Sequence, residues 1–223
     1  MEAYQSANKH RIIKHDTMDI ADIQYVGGLD ISFDKHQPNR ACAYLTIMDL
    51  RTNRLVYENH HLCQMTMPYV SGLLGFREIP EYIQLLSNIK GASFYPHVLM
   101  LDGFGILHPR EFGSASHLGV ELDIPTIGVA KTLMCLDGLC EPFIKQQFRD
   151  KCVHKGDYIE LKGLSNTVWG VALKSSDTSL TPIYVSIGHK LSLETAQKLV
   201  LKTCLFKNPE PIRNSDIKSK LYF

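Results

Sequence analysis

Apolar and polar positions alternate with two different periods along the chain. Tyr25 to Phe33 (YVGGLDISF) has period two: Leu29, Ile31 and Phe33 fall on one face, and Gly28, Asp30 and Ser32 on the other. That is a strand. Ala41 to Leu50 and Leu55 to Leu62 alternate in the same way, and the polar stretch Asp49 to Arg54 predicts a hairpin turn between them. Three consecutive antiparallel strands are therefore expected before the first long helix. Cys63 to Glu78 holds Pro68, Gly72 and Gly75 and reads as a loop. Pro80 suits a first helical turn, and Tyr82, Ile83, Leu86 and Ile89 supply the stripe of the helix that follows.

The run Val98 to Leu101 stops abruptly at Asp102-Gly103-Phe104-Gly105, as a buried strand does. After the polar loop Leu107 to Arg110, Ser114 suits an N-cap, and Ala115, Leu118 and Leu122 recur at helical spacing. Asp123-Ile124-Pro125 ends that helix, and Thr126 to Val129 forms a second strand ending near Lys131. A strand–helix–strand unit of this kind crosses over right-handed and makes its strands parallel. Later signals are weaker. They predict a helix over Glu141 to Arg149, strands over Tyr158 to Leu161, Val168 to Leu173 and Ile183 to Ile187, and a helix from Ser192. Met1 to Ala7 predicts a frayed terminus, and Asn8 to Asp22 a polar, basic-leaning helix. Asn208 to Phe223, with Pro209, Pro211 and the KSK run, predicts a segment lying over the surface. There is no internal repeat, linker or low-complexity tract, so residues 1–223 are expected to form one α/β domain.

Composition narrows the class. Hydrophobic residues make up 44% of the 223, enough for a substantial core. A net charge of +1 provides no global field for a polyanion, so any such contact must be local. Six cysteines form no CxxC pair, which points to reduced thiols in a cytoplasmic or nuclear protein rather than structural zinc. No apolar run approaches the roughly 18 residues of a membrane span.

Candidate chemistry gathers at strand ends. Asp102 and Lys131 are both expected at carboxyl ends of parallel strands, where open α/β sheets bind ligands. An isolated Asp-Gly is commonly only a turn. Here His108, Arg110, His117 and Lys131 crowd around it. Asp30 is an acid in mid-strand, where it needs a cation, a donor or water. Glu78 falls just before the expected helix start, where a carboxylate is either simply favoured by helix electrostatics or available as a site acid. Tyr69 is an aromatic in a Pro/Gly loop, either packing that loop or offering a stacking surface for a base. His189 falls at a strand-to-helix junction, where histidines are ordinarily hydrogen-bonded structural residues. If the three acids meet in one cleft, they can hold a hard divalent ion such as Mg²⁺ for phosphodiester hydrolysis. Lys131 and His189 would then supply charge or proton transfer nearby.

The chain resembles the endonuclease V family over nearly its whole length. The resemblance rests on GLDISF around Asp30, PYVSGLLGFRE from Pro68 to Glu78, and LDGFGILHPREFGSASHLG from Leu101 to Gly119. IPTIGVAK ending at Lys131 and SIGHK around His189 add to it. It implies an RNase H-like fold, an antiparallel triplet leading into parallel strands with flanking helices. It also implies a nuclease that cuts the second phosphodiester on the 3′ side of inosine, with Mg²⁺ or Mn²⁺ as cofactor. By that resemblance Asp30, Asp102 and Glu78 match the catalytic metal-binding acids, and Lys131 and His189 the basic residues beside them. Tyr69 matches the wedge. Gly72, Leu74, Gly103, Gly105, His108 and Gly113 match the pocket for the extruded base. Asp216 is similar to an acid that animal members add near the metal.

Val70-Ser71 stands where bacterial members tend to carry Ile-Pro, which resembles the animal branch and its preference for inosine in single-stranded RNA. The expected partner is thus an inosine-containing single-stranded RNA, bound by a monomer. The alternatives are a deoxyinosine-specific DNA repair endonuclease and a catalytically inert inosine-binding module.

Overall fold

The computed structural model describes residues 1–223. One eight-stranded mixed sheet runs through it in the order β3-β2-β1-β4-β5-β8-β7-β6. The first three strands, β1 (Tyr25–Phe33), β2 (Arg40–Asp49) and β3 (Arg54–Gln64), form the expected antiparallel triplet. β4 (Val98–Asp102) and β5 (Thr126–Ala130) continue it in parallel, joined by helix α3 (Ser114–Leu122). The second half of the sheet, β6 (Tyr158–Lys162), β7 (Val168–Leu173) and β8 (Ile183–His189), is antiparallel throughout, and β8 runs against β5.

Period-two alternation sorts the core into two layers. Leu29, Leu99 and Leu101 point to one face, under α2 (Leu74–Ser87) and α3, where Ile79, Tyr82, Leu85, Ala115 and Leu118 meet them. Val26, Val98, Met100, Ile127 and Val185 point to the other, under Ala196, Leu199 and Val200 of α5 (Leu193–Thr203). Emptying one such position, as in Leu99→Ala, costs about 2–5 kcal/mol. α4 (Glu141–Lys151) packs near β6 with Ile144 and Phe148 inward. No helix is long and apolar enough to cross a membrane.

Four local expectations differ from the structure. First, α1 (Glu2–Asn8) occupies the segment expected to fray, while most of Asn8 to Asp22 is irregular. Gln5 and the aromatic ring of Tyr4 hold this helix down, and both find buried partners. Second, α2 begins at Leu74, so Pro80 lies inside it and Glu78 faces inward in its second turn. The turn before Pro80 is anchored because Gly75 leaves room for Ser114 and His117 of α3. Third, Ser114 is the first residue of α3, and Gly113 stands in the cap position.

Fourth, the C-terminal segment is not a surface strap. Its helix α6 (Glu210–Ser219) docks across β1 and β2. A Cβ on Gly28 would stand 2.1 Å from the Pro211 carbonyl carbon, so only glycine admits the helix there. Hydroxyls complete the seat: Thr46 Oγ1 donates to Pro211 O at 2.6 Å and Ser215 Oγ to Gly28 O at 2.9 Å. Ser32 Oγ and Ser219 Oγ lie 2.7 Å apart.

Candidate active site

Two concavities open on the rim made by the carboxyl ends of β4 and β5, and Asp102 lines both. Asp102 ends β4, and Lys131 directly follows β5. Their strands are parallel neighbours, which brings Lys131 Nζ to 2.5 Å from Asp102 Oδ2. Burial works against the charge on Lys131, but Asp102 outweighs it and holds the ammonium above its ordinary value.

The larger concavity, of about 840 Å³, is lined by Asp30, Asp102 and Asp216, with Ser32, Lys35 and Lys220 beside them. Asp30 is on β1, on the face that α6 covers, and the docked helix delivers Asp216 against it. Burial raises the Asp30 carboxyl well above its ordinary value, and the charges of Asp102 and Asp216 push the same way. Asp216 is itself pushed up by burial, yet the Lys220 ammonium at 2.7 Å and hydrogen bonding with Asp30 hold it below the usual range. Glu78 lines neither concavity; it is buried, 4% exposed, within the electrostatic reach of Asp102, with Tyr82 Oη 3.5 Å from its Oε2. Burial and the charge of Asp102 push it up to about 8, against the pull of Arg77 and Tyr82.

The donor set suits a hard divalent cation, which takes carboxylate oxygens and water. Carboxylates crowded in this way repel, and here the Lys131 and Lys220 ammonium groups offset part of the repulsion. No three acids, histidines or cysteines close into a compact cage. Asp102 and Asp216 face their amines, so the fit to a cation lies in the chemistry of the donors.

The smaller concavity, of about 270 Å³, is lined by Tyr69, Gly72, Leu74, Gly103, His108 and Gly113 on its far side, with Asp102 and Lys131 on the near side. Tyr69 stands at its mouth, 68% exposed. Gly72 has φ +78°, a conformation side chains rarely adopt. His108 is buried. Its Nδ1 accepts from the Arg110 amide at 3.2 Å, so Nε2 carries the proton and donates to Gly72 O at 3.0 Å. Burial, then the charge of Arg110, pull its pKa down to about 4 and keep the ring neutral.

Two expected site residues lie elsewhere. His189 pairs with Thr126, at the start of β5, because β8 is antiparallel. That is roughly 13 Å along the strand from the Lys131 end, at ~3.3 Å per residue. There the ring is 2% exposed; its Nδ1 accepts from the Ile13 amide at 3.2 Å and its Nε2 lies 3.5 Å from Asp123 Oδ1. It ties the N-terminal segment to the opposite rim. Gly105 lines neither concavity. Its amide donates to Ser186 Oγ at 3.0 Å, and a Cβ there would stand 1.9 Å from Ile187 O, so it lets the loop cross β8. Conversely, the smaller concavity includes Gln5, on a helix the hydrophobic pattern does not reveal. Only its spacing to acceptors in the folded chain identifies it.

The endonuclease V family model matches residues 6–217. Human endonuclease V is 44% identical over 200 residues, which is 89% of this chain and 71% of the human protein. The crystal structure of the catalytic domain of human endonuclease V superimposes with a TM-score of 0.94 at 40% identity, covering 99% of this chain and 93% of that one. Endonuclease V of Ciona intestinalis, in complex with a 24mer DNA containing an inosine followed by a ribo-adenosine, gives a TM-score of 0.94 at 34% identity, covering 99% and 95%.

Proposed function

The chain belongs to the endonuclease V family and is a nuclease; from that premise we propose that it is a divalent-ion-dependent endoribonuclease that cuts single-stranded RNA at the second phosphodiester 3′ to inosine. The junction of the two concavities at Asp102 supports this most directly. A base taken into the smaller one leaves its backbone crossing the Asp102–Lys131 rim toward the acids. The cut then falls downstream of the recognised base and not at it.

Each group has a task on this reading. Tyr69 stacks at the gap left by the extruded base, and the walls of the smaller concavity test its edge. Hypoxanthine presents an oxo group and an N–H where adenine presents an amine, so fixed donors and acceptors discriminate between them. Asp30, Asp102 and Asp216, with the buried Glu78, would hold the Mg²⁺ or Mn²⁺. Such an ion, when bound, activates water and offsets charge on the phosphate. Lys131 pairs with Asp102 and places its own positive charge at the phosphate. Such an enzyme would act as a monomer, in the cytoplasm or nucleus, wherever inosine RNA occurs.

The Ciona protein was captured on DNA carrying one ribonucleotide after the inosine. That favours a requirement for the 2′-hydroxyl at a single downstream position. It also keeps deoxyinosine DNA as the second substrate. Three matched single strands decide the matter: inosine RNA, deoxyinosine DNA, and that DNA with one ribonucleotide following the inosine. RNA and the hybrid should be cut faster than DNA. Faster cutting of the all-DNA strand would overturn the RNA assignment.

A further inference from the structure

We propose that Gln5 is a positioning residue for the smaller concavity, holding in register the two loops that form its walls. This rests on that concavity being the base pocket. Gln5 is 3% exposed, and its amide group is fully used. Nε2 donates to Gly72 O at 2.9 Å and to Phe112 O at 2.8 Å, and Oε1 accepts from Arg110 Nε at 2.5 Å. Gly72 belongs to the loop that carries Tyr69, and Phe112 precedes Gly113 on the loop after β4. One side chain therefore staples both walls.

The staple is more than incidental because the Tyr69 loop is tethered to the other segments through Gly72 O alone. Three donors converge on Gly72 O: Gln5 Nε2, His108 Nε2 at 3.0 Å and Arg110 Nη2 at 3.0 Å. No other hydrogen bond ties residues 66–72 to a different segment. A carbonyl has two lone pairs, so with three donors it is saturated and serves as an anchor, not as a reader of the base. Arg110 is held by Gln5 in turn, and its guanidinium also meets Glu2 at 3.1 Å. Removing the Gln5 amide frees one tether of the wedge loop, loosens Arg110, and leaves Phe112 O without its donor.

Affinity for an inosine single strand and for the matched adenosine strand, measured without divalent ions, tests this. Wild type should prefer inosine. In Gln5→Met, which keeps length without donors, the preference should fall about tenfold, as expected for losing one buried and one part-buried hydrogen bond. The rate of cutting at saturating strand should fall by a smaller factor than the affinity for the inosine strand does. A merely structural role would lower the concentration of active protein and leave the preference ratio intact. Should Gln5→Met not fold, Gln5→Glu retains Arg110 and the shape while losing both donors, and the same fall is expected. Undiminished preference in a folded variant overturns the role of Gln5. A wild type with no preference would instead remove the base-pocket reading, and the inference with it.

Discussion

Lys131 Nζ and Asp102 Oδ2 meet at 2.5 Å across the adjacent ends of two parallel strands, on the wall that the two concavities share. Neither is deeply buried: the side chains are 46% and 21% exposed. The pair therefore contributes little to folding, of the order of 0–1 kcal/mol for an exposed bridge. Its weight is electrostatic and local, at the place where a phosphate would cross.

Lys131→Ala should consequently separate stability from activity. Denaturant unfolding should shift by no more than about 1 kcal/mol. Single-turnover cleavage of inosine RNA should slow on the order of 10²–10³-fold, the scale of losing one preorganised charge-stabilising group. A rate within threefold of wild type would take Lys131 out of the chemistry.

Divalent ions should stabilise the folded chain, because the unfolded chain has no acid cluster to offer. Thermal unfolding in EDTA and in Mn²⁺ at a hundred times its dissociation constant should differ by ~2.7 kcal/mol. Asp30→Asn should lose most of that gain. A full Mn²⁺ response in Asp30→Asn would place the ion elsewhere.

Tyr69→Ala should weaken binding to an inosine strand by roughly 1–3 kcal/mol, typical of a lost base–aromatic stack. Its ring is solvent-exposed, so the melting temperature should barely move. Unchanged affinity would leave Tyr69 as a loop residue only.

His108 gives a pH signature. Its pKa falls from 6.5 to about 4 on folding. A depressed pKa contributes stability that is complete above pH 6.5 and is lost as pH falls toward about 4, where the unfolded chain has already taken up the proton. His108→Gln lacks this component. The stability difference between wild type and the variant should thus shrink between pH 7 and pH 4.5 in denaturant titrations. A constant difference would mean the folded ring titrates normally.

Much of this arrangement was legible in the sequence, and the illegible parts share a cause. Period-two alternation set Asp30 on the face opposite Leu29 and Ile31, and the structure places α6 and the acid cluster there. The unit from Val98 to Lys131 was readable because strand, helix and strand follow one another and the crossover rule orients them. His189 escaped because a strand can end on either rim, and only distant pairing with β5 decides which. α6 read as surface because it docks through Ser215, Ser219 and a glycine gap on β1, features that look solvated in a linear sequence. Gln5 carried no signal at all, since an amide network has no periodicity.

The most direct test is to map the cut on a single-stranded RNA bearing one inosine, with and without Mg²⁺ or Mn²⁺. With the ion, one cut at the second phosphodiester 3′ to the inosine is expected, absent in EDTA, in Asp102→Ala and on the adenosine strand. Cutting without any divalent ion, or equal cutting of the adenosine strand, would contradict the assignment of Asp30, Asp102 and Asp216 to the chemistry and of the smaller concavity to the base.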